Sequence, residues 1–147
     1  MNVHTPSDSV LTKQALAPQD IGTGATVNGT GVDCLGHEVA VLEVNAGAID
    51  SGANKSVTVK LQESSDDGDS DAYADVTDAT TGAIDNDGQN EPYLIEVNLS
   101  ERERYLRAVA TGGSADGGLV GAVLNLYRSR HNPPTQDNTV VQIGFSS

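Results

Sequence analysis

The chain has 147 residues, enough for one domain with a real core and too few for two comfortable ones. Its 21 acids against 8 bases give a formal charge of −13, which excludes roles that depend on neutralising phosphates, nucleic acid binding foremost. Trp is absent, Phe145 is the single phenylalanine and Cys34 the single cysteine, so the expected core is built from Val, Leu, Ile, Ala and a few Tyr without an intrachain disulfide.

The start, MNVHTPSDSVLTKQ, has no apolar core of signal-peptide length, and nowhere do 18 apolar residues run together. The expectation is a protein soluble throughout, made in the cytoplasm, with no membrane partner. The first twenty residues are polar, with Pro6 and Pro18 and only Val10, Leu11 and Leu16 as bulky apolar groups, and they read as a flexible N-terminal arm. The next stretch, DIGTGATVNGTGVDCLG, carries five glycines and predicts turns with one short strand near 25–27.

From Glu38 the pattern changes: EVAVLEVNAG is a compact apolar run bounded by Gly36 and Gly47, and it reads as a strand. Residues 55–63 (KSVTVKLQE) alternate strictly, placing Val57, Val59 and Leu61 on one face. An acidic stretch follows, then a short strand over 73–77, then the turn-rich TTGAIDNDGQNEP with its Asp87-Gly88 dipeptide. Residues 93–99 alternate again, with Tyr93, Ile95, Val97 and Leu99 inward. Ser100 to Glu103 is long enough for one helical turn, and a further β-rich run follows it. Gly118 to Tyr127 (GLVGAVLNLY) is the most apolar run, with Val120, Ala122, Leu124 and Leu126 on one face; a buried helix competes with a strand there, and its two glycines and the spacing to neighbouring strands favour β. Residues 139–145 give a last possible strand.

Seven or eight short strands with no long helix predict an all-β fold, an antiparallel β-sandwich or jelly-roll-like barrel. The expected division is an arm over 1–20, a β-sandwich domain over 21–134 and a tail or final strand over 135–147.

The acidic stretch SSDDGDSDAYADVTD puts six aspartates into fifteen residues, from Ser64 to Asp78. Counting Asp67 as position 1, Asp69, Asp71, Asp75 and Asp78 fall at positions 3, 5, 9 and 12 of an EF-hand-like calcium loop. Position 6 is Ala72 where the sharp turn wants glycine, position 12 is Asp where a bidentate Glu is usual, and the flanks read as strands. An exposed, solubilising loop is therefore preferred to a metal site, and no cofactor is expected. Catalysis has poor raw material: His4, His37 and His131 sit in no nucleophile or metal pattern, and Cys34 with His37 is a lone pair three residues apart. The expectation is a non-enzyme. Five of the eight bases, Arg102, Arg104, Arg107, Arg128 and Arg130, fall late in the chain and are the interaction candidates, either for an acidic partner or as ordinary ion pairs at a strand corner.

The order VDCLGHEVAVLEVNAG, VTVKLQESSDDGDSDAYADVT, TTGAI, RYLRAVATGG and GLVGAVLNLYRSRHNPP resembles the small structural proteins of tailed bacteriophages and prophages assigned as capsid decoration (cement, head-stabilising) proteins. The resemblance spans about Asp20 to Pro134, and its specific parts are the KLQES-D-G-Y-DV string and the RYLRAVAT run. It implies an all-β virion protein on the capsid exterior, partnered by the major capsid protein and present as a homo-oligomer, a homotrimer foremost, with no catalytic residues. The other functional expectations are a different β-class virion component, such as a tail-tube, head-completion or fibre-base protein, and a calcium-dependent binding module.

Overall fold

A computed structural model describes residues 5–130 and 135–136. The expected strand over 139–145 lies outside the described residues, as do His4 and His131. Nine strands follow one another: β1 Val10–Ile21, β2 Thr26–Asn28, β3 Val32–Asp33, β4 Val39–Ala46, β5 Val57–Ser64, β6 Ala74–Ile84, β7 Pro92–Asn98, β8 Tyr105–Gly112 and β9 Gly118–Tyr127. Two single 3-10 turns, Pro6–Asp8 and Leu99–Glu101, complete the described elements. The strands form two antiparallel sheets, β1-β9-β4-β7 and β2-β8-β5-β6, with β3 also on β8. This is the all-β sandwich that the alternating runs predict.

Alternation decides what fills the space between the layers. Val57, Val59 and Leu61 of β5 are completely buried, opposite Gly112, Ala110 and Ala108 of β8. In the other sheet Leu42 of the central strand β4 pairs with Ile95 on one side and Leu124 on the other. Val120, Ala122, Leu124 and Leu126 point into the same core, while Tyr93, Val97 and Leu99 pack partly buried against it. The apolar run 118–127 is thus a strand, hydrogen-bonded between β1 and β4, with Val120, Ala122, Leu124 and Leu126 buried while Leu119 is exposed and Val123 and Tyr127 are half-buried on its outer face. It ends where Arg128 turns to φ 54°, outside the extended region.

Two expectations are corrected. Residues 10–20 are not an arm but most of β1, an edge strand hydrogen-bonded along β9. Register shifts between Gln14 and Leu16 and between Leu16 and Gln19 break the period, so Leu11, Ala15, Leu16 and Ile21 reach the core without alternating in sequence. Pro18 is tolerated because only one side of β1 is paired. The sandwich accordingly begins at Val10 and not at residue 21.

The second correction concerns 80–84, expected as turn and found as the end of β6. Opposite Val59 the edge strand β6 carries two residues, Thr81 and Gly82, and the Val59 N–H donates to the Thr81 hydroxyl at 3.1 Å. Opposite Leu61 it carries four, from Val76 to Ala79. Gly82 at φ 70° and Asp78 at φ 61° make these bulges possible. Bulges of this kind twist an exposed edge away from pairing with another chain.

Candidate interaction surface

The acidic residues and the arginines meet at one end of the sandwich, where the β5–β6 loop lies beside the start of β8. Ser64, the last residue of β5, is fully buried. Its hydroxyl donates to the Asp71 carbonyl at 2.7 Å and accepts the Gly68 N–H at 2.8 Å, pinning both arms of the loop from beneath. The Asp66 carboxylate accepts the N–H groups of Asp69, Ser70 and Asp71 at 3.1, 2.8 and 3.1 Å. These backbone donors, Ser70 first, hold the Asp66 carboxyl below the usual aspartate range. Asp71 accepts from the Ser65 N–H and hydroxyl at 2.8 and 3.0 Å and is lowered in the same way, chiefly by the Ser65 amide.

Asp67 at φ 62° and Gly68 at φ 83° then turn the chain so that the Tyr73 hydroxyl donates to the Asp67 carboxylate at 2.6 Å. Burial first, and Asp67 second, push the Tyr73 phenol up. Gly31 lies beneath this pair, and a Cβ there would push the Asp67 carboxylate and the Tyr73 hydroxyl aside.

The loop is therefore organised by its own hydrogen bonds. Of the five calcium candidates, Asp67 serves Tyr73, Asp71 serves Ser65, and Asp75 on β6 accepts from Lys60 and Gln62, each at 2.7 Å. Asp69 is exposed, and Asp78 sits in the β6 bulge. Among the described residues no group of three or more His, Cys, Asp or Glu is placed to hold a metal ion.

The interaction candidates fall into different surroundings. Arg107 is half-buried on the outer face of β8, donating twice to Gln62 Oε1, with its guanidinium over the Tyr73 ring. Arg102 pairs with Glu63 at 3.1 Å, and Glu63 also accepts the Glu103 N–H. Arg104 forks onto Asp33, through Nε at 3.0 Å and Nη2 at 2.6 Å, and lies over Tyr105. That fork is the main reason the Asp33 carboxyl is held below its ordinary range. Arg128 pairs loosely with Glu38 at 3.5 Å, both exposed. Arg130 donates its backbone N–H to Gly36 O at 2.9 Å. Arg102, Arg104 and Arg130 line one cavity of about 340 Å³, while Arg107 and Arg128 stand apart from it.

The same cavity touches the β3–β4 turn. Cys34 is buried, donates weakly to Val32 O, and burial pushes its thiol up to about 12. A thiol held neutral in this way does not form the reactive pair with His37 that the spacing allows. The His37 N–H bonds back to Cys34 O at 3.2 Å, and neither ring nitrogen, both buried, has a hydrogen-bond partner among the described residues.

Ser64, Asp66 and Asp33 organise this end and were not singled out from the sequence. An aspartate followed by small polar residues is an Asx-turn signal, and Asp66 with 68–71 carried it. Ser64 and Asp33 carried none, because their roles depend on strands brought together from far apart.

No family model matches the chain, and no curated protein matches it in sequence. Among solved structures the fold is similar to the crystal structure of SPBc2 prophage-derived protein YomS, with a TM-score of 0.51 at 10% identity. The likeness covers 86% of this chain and 100% of that one.

Proposed function

We propose that this protein is a structural, non-enzymatic component of a phage particle that binds the outer surface of the capsid lattice and stabilises it. The observation that carries the reading is the fold likeness to a prophage-derived protein, which takes in the whole of that chain. The order of features in the sequence, with its likeness to decoration proteins, implies the capsid exterior as the site of action. A charge of −13 suits an outward-facing protein and disfavours contact with packaged DNA.

The major capsid protein is the partner in this reading, and a homotrimer is the assembly. A lattice offers many identical sites, so subunits joined to one another bind by multivalency even where each contact is modest. The deciding experiment adds purified protein to bare capsids and follows co-sedimentation and the temperature of capsid disruption. Binding with a raised disruption temperature supports decoration. Failure to co-sediment, or localisation to the tail or connector by particle imaging, overturns it.

A further inference from the structure

Edge strand β1 changes character along its length. From Val10 to Gln14 it pairs residue for residue with Tyr127 to Val123 of β9, and no described strand pairs with its other side. Beyond Gln14 that side is closed by the register shift, by the Thr30 N–H on Ala15 O at 3.1 Å and by Pro18, which has no N–H to give. The regular stretch from Val10 to Gln14, about 16 Å of strand, therefore turns alternate N–H and C=O groups outward. A groove of about 690 Å³ runs along it on the open side of the sandwich, between β1 and β3. Its lining joins buried Leu11 and Val32 to half-buried Tyr105 and His37 and to Leu35, which is 68% exposed.

The last described residue lies at the start of this stretch. Gln136 donates its side-chain amide to the carbonyls of Ser7 and Val10, at 3.2 and 2.5 Å. Residues 137–147 follow in the sequence, and when extended they reach about 36 Å, more than twice the open edge. Asp137 is the one charged side chain among them, so the segment carries little that resists burial. Val141, Ile143 and Phe145 recur at the two-residue period of a strand and so share one face.

We infer that this groove takes the chain's own C-terminal segment, residues 139–145 adding to the open edge of β1 with Val141, Ile143 and Phe145 against Leu11, Val32 and Leu35. The outer face of the same sheet offers a rival groove, lined by Val39, Val41, Leu94 and Tyr127, that also starts near this point, at Ser9. A segment laid on that face leaves its backbone groups to water, whereas the β1 edge supplies them with partners. A second copy's segment is the other rival. Attachment at Gln136 holds the chain's own segment at an effective concentration of about millimolar, which a free copy does not match. The edge is then closed to pairing with other chains.

The test is amide hydrogen exchange and nuclear Overhauser contacts on the full chain, beside Ile143→Asp and, on the opposite face of the same segment, Val140→Asp. Expected in the wild type are amides of 139–145 and 10–14 slowed about a hundredfold relative to an unstructured peptide, with contacts from Ile143 and Phe145 to Leu11, Val32 and Leu35. Ile143→Asp should return 139–145 to fast exchange, Val140→Asp should leave it slow, and β5 and β8 should stay protected in both. The wild-type contacts decide the matter even where a variant unfolds. Amides of 139–145 that exchange at the unstructured rate in the wild type overturn the inference, as do contacts to Val39, Val41 and Leu94. Protection that is lost on dilution also overturns it, because a sister copy's segment then fills the groove.

Discussion

The guanidinium of Arg107 lies 4.1 Å from the centroid of the Tyr73 ring, while its Nε and Nη2 donate to Gln62. One side chain on β8 thereby clamps the end of the acidic loop against β5, and the loop reaches its place through a contact between residues 34 positions apart. Replacing Arg107 by Ala removes the stack and both hydrogen bonds. A loss of about 1 to 2 kcal/mol is expected in urea unfolding, with Arg107→Lys intermediate because an ammonium lacks the planar fork.

Ser64 makes the second prediction. Its buried hydroxyl satisfies the Gly68 N–H and the Asp71 carbonyl at once. Ser64→Ala leaves both without that partner, and a destabilisation of about 1 to 3 kcal/mol follows, with faster amide exchange over 65–71. Ser64→Thr keeps the hydroxyl but adds a methyl group to a fully buried site, and is expected to lose stability through overpacking.

Acid sensitivity follows from the carboxylates. Asp33, Asp66, Asp71 and Asp75 all have folded pKa values lowered from 3.8, so the unfolded chain binds more protons than the native one as pH falls. Their stabilising contribution is complete above the ordinary aspartate value and drains away as pH drops through the lowered ones. Glu103 has the opposite sign: burial, and then the neighbouring Asp71, raise its folded value above 4.5. Its contribution is present below the unfolded value and fades as pH rises through the folded one. The urea midpoint measured from pH 7 to pH 2.5 is expected to fall steeply below about pH 4, and Glu103→Gln to remove the small opposing effect just above it.

Calcium is expected to leave the melting temperature unchanged, because the loop aspartates already accept hydrogen bonds from Tyr73, Ser65, Lys60 and Gln62. Thermal melts with excess calcium and with a chelator check this. A chelator-sensitive shift would return the loop to the role of a cation site.

Cys34 gives a chemical readout of the folded state. With its thiol buried and raised to about 12, a thiol-specific reagent at pH 8 should react only after unfolding. Labelling in urea should therefore track the global unfolding curve, and rapid labelling in buffer would contradict the burial.

The sequence by itself determined the layers of this protein. Strict alternation in β5 and β7, and the apolar run of β9, depend on nothing beyond the two-residue period of a strand, so Val57, Val59, Leu61, Ile95 and Leu124 were legible as core before any coordinate was known. Where bulges interrupt the period that signal vanishes, which is why β1 read as an arm and the end of β6 as a turn. The arginines were visible as a cluster in sequence, but only the tertiary structure divided them. It sent Arg107 to Tyr73 and Arg128 to Glu38, and brought Arg130 alongside Arg104, Leu35 and His37. The physical reason is that strand periodicity is a local property of the chain, whereas a charged corner belongs to three segments whose proximity only the pairing of the sheets creates.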